Sequence, residues 1–148
     1  MRVIVNTSPL IALDRIGRLG LLRQLFVNIV RPQAVLDELL AGRHRHEGSK
    51  ELYDAEWIST EPNPHGMNLR KELGAGETAV IILAMNTQAD LVLLDDLQAR
   101  IVAVGVGLQV AGTLGLVQAA CDAALIPDAK VVFNELQRCG FRMPHHLL

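Results

Sequence analysis

Arg2-Val3-Ile4-Val5-Asn6-Thr7-Ser8-Pro9-Leu10-Ile11-Ala12-Leu13 decides the fold class of this chain. Residues 2–6 read as a short buried strand, β-branched at its centre and ending in a polar turn. Thr7-Ser8-Pro9 then supplies a helix start. Ser8 is the expected N-cap and Pro9 the first helical residue, a position where the missing N–H has no partner to lose.

The same alternation continues outward. Gly17 and Gly20 interrupt the first helix, and residues 21–26 make a second short one. Residues 28–30 are a brief strand. Pro32 opens a helix through 33–41, closed by Gly42. The polar stretch 43–50 reads as exposed. Residues 59–68, with Pro62, Pro64 and Gly66, form the clearest loop, and not a domain boundary, because neither side alone closes a core. Gly74-Ala75-Gly76 precedes a strong helix over 77–87. A strand over 91–94 ends in Asp95-Asp96, followed by helix 97–104, strand 108–111, helix 114–124 after Gly112-Thr113, and a last helix from Pro127 or Asp128 to about Arg138. Apolar strands alternating with helices predict an α/β fold with a mostly parallel sheet covered on both faces. Residues 1–148 are expected to form a single domain. In such sheets sites form outside the carboxyl ends of the strands, where Asn6 and the Asp95-Asp96 pair fall.

Composition narrows the class. With 148 residues, half hydrophobic and a fifth charged, the chain reads as a soluble globular protein with its own core. Aromatics are few (Trp57, Tyr53 and three Phe), so Leu, Val, Ile and Ala must fill that core. The scarcity also argues against a base-stacking platform. No apolar run is long enough to span a bilayer, and the opening is too short before its polar turn for a secretory signal. A cytoplasmic location is expected, with Cys121 and Cys139 as reduced thiols. Net charge is −2, but residues 1–50 carry eight Lys/Arg against four Asp/Glu and the remainder carries six against twelve. A basic part can attract phosphates and an acidic part can hold metal.

The acids are the candidates for chemistry. Adjacent carboxylates repel, so Asp95-Asp96 at a strand end is easier to place beside a cation; equally, one of them can cap the following helix. Glu77, in the first turn of its helix, shares a face with Val80, Ile81 and Ala84. Its plain alternative is a favourable interaction with the helix dipole. Asp37 and Glu38 flank the apolar stripe of Val35, Leu36, Leu39 and Leu40, and periodicity does not choose between them.

Taken in order, the motifs resemble those of the PIN-domain family, in a VapC-toxin-like branch. Val3-Ile4-Val5-Asn6-Thr7-Ser8-Pro9-Leu10 resembles the PIN opening. Val35-Leu36-Asp37-Glu38-Leu39 resembles the second motif, Gly74-Ala75-Gly76-Glu77-Thr78-Ala79-Val80 the third, and Leu93-Leu94-Asp95-Asp96-Leu97-Gln98-Ala99-Arg100 the fourth. Val110-Ala111-Gly112-Thr113-Leu114-Gly115-Leu116 and Phe141-Arg142-Met143 are similar to that branch. The resemblance implies a three-layer α/β/α sandwich and a metal-dependent endoribonuclease, often the toxin of a toxin–antitoxin pair. RNA would be the substrate, a small antitoxin protein the partner, and the chain a homodimer. It implies Mg²⁺ or Mn²⁺ held by Glu38, Glu77, Asp95 and Asp96, with the register between Asp95 and Asp96 open. Thr7 and Ser8 would orient a metal water or a phosphate, and Arg100, four residues after Asp96, would pair with it.

Asn6 departs from the pattern, which has an acid there. It keeps a neutral carbonyl oxygen but not the charge. Three readings stay open: a tolerated change in a weak nuclease, a non-catalytic module binding RNA or a protein, or a disabling change introduced into a toxic protein.

Other signals carry less. His44, His46, His65, His145 and His146 lack Cys partners at zinc spacing and read as loop and tail residues. Gly105-Val106-Gly107 follows a helix and lacks the third glycine of a dinucleotide loop. Leu22, Leu25, Phe26 and the Leu147-Leu148 tail are assigned to ordinary core ahead of a dimer contact.

Overall fold

A computed structural model describes residues 1–43, 47–66 and 73–143. His44, His46, His145, His146 and Leu147-Leu148 lie outside the described residues. β1 (Arg2–Val5) is the centre of a five-stranded sheet. Val3, Ile4 and Val5 are all fully buried although neighbours on a strand point to opposite faces, so both faces of the sheet are covered. Around it lie β2 (Asn28–Pro32), β3 (Ile58–Glu61), β4 (Leu91–Leu93) and β5 (Val110–Ala111), in the order β3-β2-β1-β4-β5. Every pairing is parallel, with Val3 opposite Ile29 on one side and Leu91 on the other. The expected mostly parallel sheet is thus wholly parallel, flanked by helices in a three-layer α/β/α arrangement.

Those helices are α1 (Thr7–Arg15), α2 (Leu21–Leu25), α3 (Gln33–Gly42), α4 (Lys50–Asp54), α5 (Ala75–Thr87), α6 (Leu97–Gly105), α7 (Thr113–Asp122) and α8 (Ala129–Arg138). α5 is buried almost all round from Gly76 to Ala84, as its lack of a polar face requires. A second apolar cluster joins Ala12 of α1 to Val117 and Ala120 of α7 and Val132 and Leu136 of α8.

Three expectations are corrected, and one helix is added that the sequence reading did not include. Ser8 is not the N-cap: the backbone stays extended only to Asn6, which takes that position, and helix begins at Thr7. Pro9 is still tolerated, because the N–H groups of the first turn have no helical acceptor. Pro32 caps α3 rather than opening it, being still part of β2. β2 runs on through Arg31, whose guanidinium is buried and donates to Leu52 O at 2.7 Å, Tyr53 O at 2.9 Å and Thr60 Oγ1 at 3.2 Å. Residues 59–61, expected as loop, form β3. Only Ile58 of that strand is buried, so no apolar run betrays it. The polar 43–50 stretch leads into the unexpected α4, capped by Ser49 and tethered by Asp14, which accepts from both the N–H and the hydroxyl of Ser49.

The sheet's order places a topological switch between β1 and β4, since the chain leaves them in opposite directions. Asn6 follows β1 and donates its N–H to Leu93 O at 3.0 Å, while Asp95 and Asp96 follow β4. The crevice outside these strand ends is where parallel sheets bind ligands.

Candidate active-site cleft

The first N–H groups of a helix have no partner within it, and the helix dipole favours negative charge there. Three of the helices that begin at this crevice have an acid at their N-terminus. α5 starts after Gly74, which has no side chain to offer. Glu77 reaches back to accept from Gly74 N at 2.9 Å. Glu38, from α3, accepts from Gly76 N on Oε1 at 2.7 Å and from Thr7 Oγ1 on Oε2 at 3.1 Å. α7 starts after Gly112, again without a capping side chain. Asp95 substitutes, accepting from Thr113 N on Oδ1 and Thr113 Oγ1 on Oδ2, both at 2.7 Å, and from Ser8 Oγ on Oδ2 at 3.0 Å. α6 is capped from within by Asp96, whose Oδ2 accepts from Ala99 N at 3.0 Å.

These carboxylates line one cleft of about 1170 Å³ with Asn6, Thr7 and Ser8. Arg100, Phe141 and Arg142 line it as well. Asn6, Thr7, Ser8, Glu38, Glu77, Asp95 and Asp96 all reach the same cleft, and the contacts separate their parts. Both oxygens of Glu38 and of Asp95 are engaged by internal donors. Glu77 and Asp96 each have one engaged oxygen, leaving Glu77 Oε2 and Asp96 Oδ1 without a hydrogen-bond donor among the described residues. The choice between Asp37 and Glu38 is made by packing: Asp37 stays exposed and accepts from Gln33 Nε2 at 2.9 Å, while Glu38 crosses to α5. The choice between Asp95 and Asp96 also separates, into a clamp between α1 and α7 and a cap with a spare oxygen.

Burial pushes the Glu77 carboxyl above the usual carboxylate range; the Gly74 hydrogen bond pulls it back, and the negative charges of Asp96 and Glu38 push it up again. Asn6 is 5% exposed, and its Oδ1 is buried with no hydrogen-bond partner among the described residues. Thr7 and Ser8 donate their hydroxyls to Glu38 and Asp95, and each hydroxyl oxygen keeps its acceptor lone pairs. One expectation changes. Arg100 does not pair with Asp96, because the carboxylate is turned to its own helix N-terminus. Thr113 was not singled out from the sequence; a Gly-Thr pair ahead of a helix with no capping side chain is the signal that marks it. Cys121 and Cys139 are free thiols.

Among the described residues no three His, Cys, Asp or Glu side chains stand close enough to hold one metal ion. A hard cation of the Mg²⁺ kind keeps several waters and takes one or two carboxylates. The donors that match are the spare oxygens of Glu77 and Asp96, with the orphaned Asn6 carbonyl on the same cleft.

A wholly parallel α/β sandwich with carboxylates gathered at its switch point defines a class in which the strand ends carry the site. Within that class the chain belongs to the PIN-domain family: a family model described as a PIN domain matches residues 2–148. PIN domains are nuclease-like modules that generally use divalent metal ions and commonly bind RNA. No curated protein matches the chain. No helix among the described residues is long and apolar enough to cross a membrane.

Proposed function

We propose that this PIN domain, spanning residues 1–148, is a weak endoribonuclease dependent on Mg²⁺ or Mn²⁺. The observation that carries this is the pair Glu77 and Asp96, which line the same cleft, each with one oxygen held to a helix N-terminus and the other without a hydrogen-bond donor among the described residues. Their negative charges disfavour each other, and a cation relieves that. Glu38 and Asp95 act one step back. They fix where α5 and α7 begin, and so where the reactive edge lies. Asn6 contributes a neutral oxygen where the family pattern has a charge, which lowers affinity for the ion. A divalent ion, when bound, supplies Lewis-acid polarisation of a phosphodiester. Toxin activity, a small antitoxin partner, a homodimer and a cytoplasmic location complete this reading and rest on the family resemblance alone.

Calorimetric titration with Mn²⁺ and cleavage of labelled RNA test it together. Glu77→Gln and Asp96→Asn keep the backbone hydrogen bonds and remove the charge, so both should abolish saturable binding and cleavage. Asn6→Asp should tighten binding about tenfold or more, as a charged ligand replaces a neutral one. If neither the chain nor Asn6→Asp binds Mn²⁺ or cuts RNA, the reading fails. The second reading, a non-catalytic module binding RNA or a protein, is favoured by Asn6 itself and expects RNA or partner binding to persist in chelator without cleavage by either form.

A further inference from the structure

The cleft holds four carboxylates and, beside them, an arginine that none of them engages. Arg100 is exposed on α6, and its guanidinium makes no hydrogen bond or ion pair with any described residue. Its place is nevertheless defined. A Cβ built on Gly112 would lie 2.9 Å from Arg100 Nη1 and 3.0 Å from Asp95 Oδ1, so the guanidinium rests over bare glycine backbone beside the Asp95 carboxylate. Asp95 is the acid nearest this spot, and both its oxygens already accept from Thr113 and Ser8. Arginine has five N–H donors, no acceptor capacity and a planar fork that matches two oxygens of a phosphate. An acidic cleft repels a polyanion, so a phosphodiester enters only where a cation on the wall receives it.

We propose that Arg100, seated over Gly112, is a phosphate-positioning residue that holds the non-bridging oxygens of an RNA phosphodiester beside Glu77 and Asp96. This rests on the reading of the cleft as a ribonuclease site. The glycine is part of the device. A side chain at residue 112 would occupy the place of the guanidinium and press on the Asp95 clamp at once. Arg142 lines the same cleft and is suited to a neighbouring phosphate.

The test is equilibrium binding of a labelled single-stranded oligoribonucleotide to the full chain across a salt series, with Mn²⁺ and in chelator, with cleavage scored on the same samples. Arg100→Gln should weaken binding about tenfold, the value of one charge-assisted phosphate contact. It should also lower the slope of log affinity against log salt by about 0.7, the share of one phosphate on a single strand. Arg100→Lys should restore the slope while recovering only part of the affinity, since an ammonium keeps the charge without the fork. Gly112→Ala should mimic Arg100→Gln. A merely structural role for Arg100 moves thermal stability and leaves the salt slope alone. Unchanged affinity and slope in Arg100→Gln, or no binding by the unaltered chain, overturns the proposal. Weakened binding by Arg100→Gln with no cleavage by any form upholds Arg100 and removes the ribonuclease reading. Cleavage by Arg100→Gln with the unaltered chain's kcat/KM removes Arg100 and leaves that reading standing.

Discussion

Gly76 donates its backbone N–H to Glu38 Oε1 at 2.7 Å, and a Cβ at residue 76 would overlap that same oxygen. The contact joins α3 to the N-terminus of α5 and brings a residue from a helix flank into the cleft. Gly76→Ala should therefore expel Glu38. Alanine favours the helix over glycine by about 1 kcal/mol, while a hydrogen bond to a charged group contributes about 1.5–3 kcal/mol. The expected net result is a loss of about 1 kcal/mol in urea unfolding. RNA cleavage and Mn²⁺ affinity should fall by at least about tenfold, because the carboxylate that organises the edge has moved.

Glu77 should make the protein's stability depend on pH and, on the proposed reading of the cleft, on metal as well. Its carboxyl is raised in the folded state, first by burial and then by Asp96 and Glu38, against the Gly74 hydrogen bond. A raised acid binds protons more readily folded than unfolded. Its penalty is absent below the unfolded pKa, grows as pH rises toward the folded pKa, and is constant above it. Without metal, Glu77→Gln should melt higher than the unaltered chain at neutral pH, and the gap should close below about pH 4. Added Mn²⁺ should raise the melting temperature of the unaltered chain and leave the variant unmoved. Thermal melts at several pH values, with and without Mn²⁺, check both signs.

The fully buried Thr113 donates twice to Asp95. Thr113→Val keeps shape and backbone N–H but deletes the hydroxyl donor to a carboxylate, which should cost about 1.5–3 kcal/mol. Ser8, exposed, donates to the same Oδ2 as the Thr113 hydroxyl and shares that work; Ser8→Ala should cost about 0.5 kcal/mol or less. Urea unfolding of the two variants separates them.

Arg31 is the largest fully buried side chain, and burial lowers its pKa, partly opposed by Asp54. It ties α4 to the sheet through the carbonyls of Leu52 and Tyr53. Arg31→Met should fill the same space but leave those two carbonyls without their donor. The expected loss is about 2 kcal/mol, less than two full unsatisfied acceptors because a buried charge is also removed. Amide exchange should show α4 and β3 opening ahead of the rest of the chain.

The sequence by itself determined the βα alternation and hence the parallel sheet, because apolar strands such as Val3-Ile4-Val5 and Leu91-Val92-Leu93 and the glycines before α5 and α7 are local signals. It also placed Asn6, Glu77 and the Asp95-Asp96 pair at element ends, where a parallel sheet puts a site. It left β3 and α4 unseen, since Ile58 is the only buried residue of β3 and Leu52 the only one of α4, and both depend on a buried Arg31 that reads as polar. It also left open Asp37 against Glu38 and Asp95 against Asp96. Neighbouring residues differ in function only through what they meet, and Gly76, Thr113 and Ser8 are brought to those oxygens from other elements across 38, 18 and 87 residues of chain. Only the tertiary structure decided which acids are locked as clamps and which keep a free oxygen. A hydrogen bond between distant segments has no periodicity to announce it; it exists once the sheet has set the helix ends side by side.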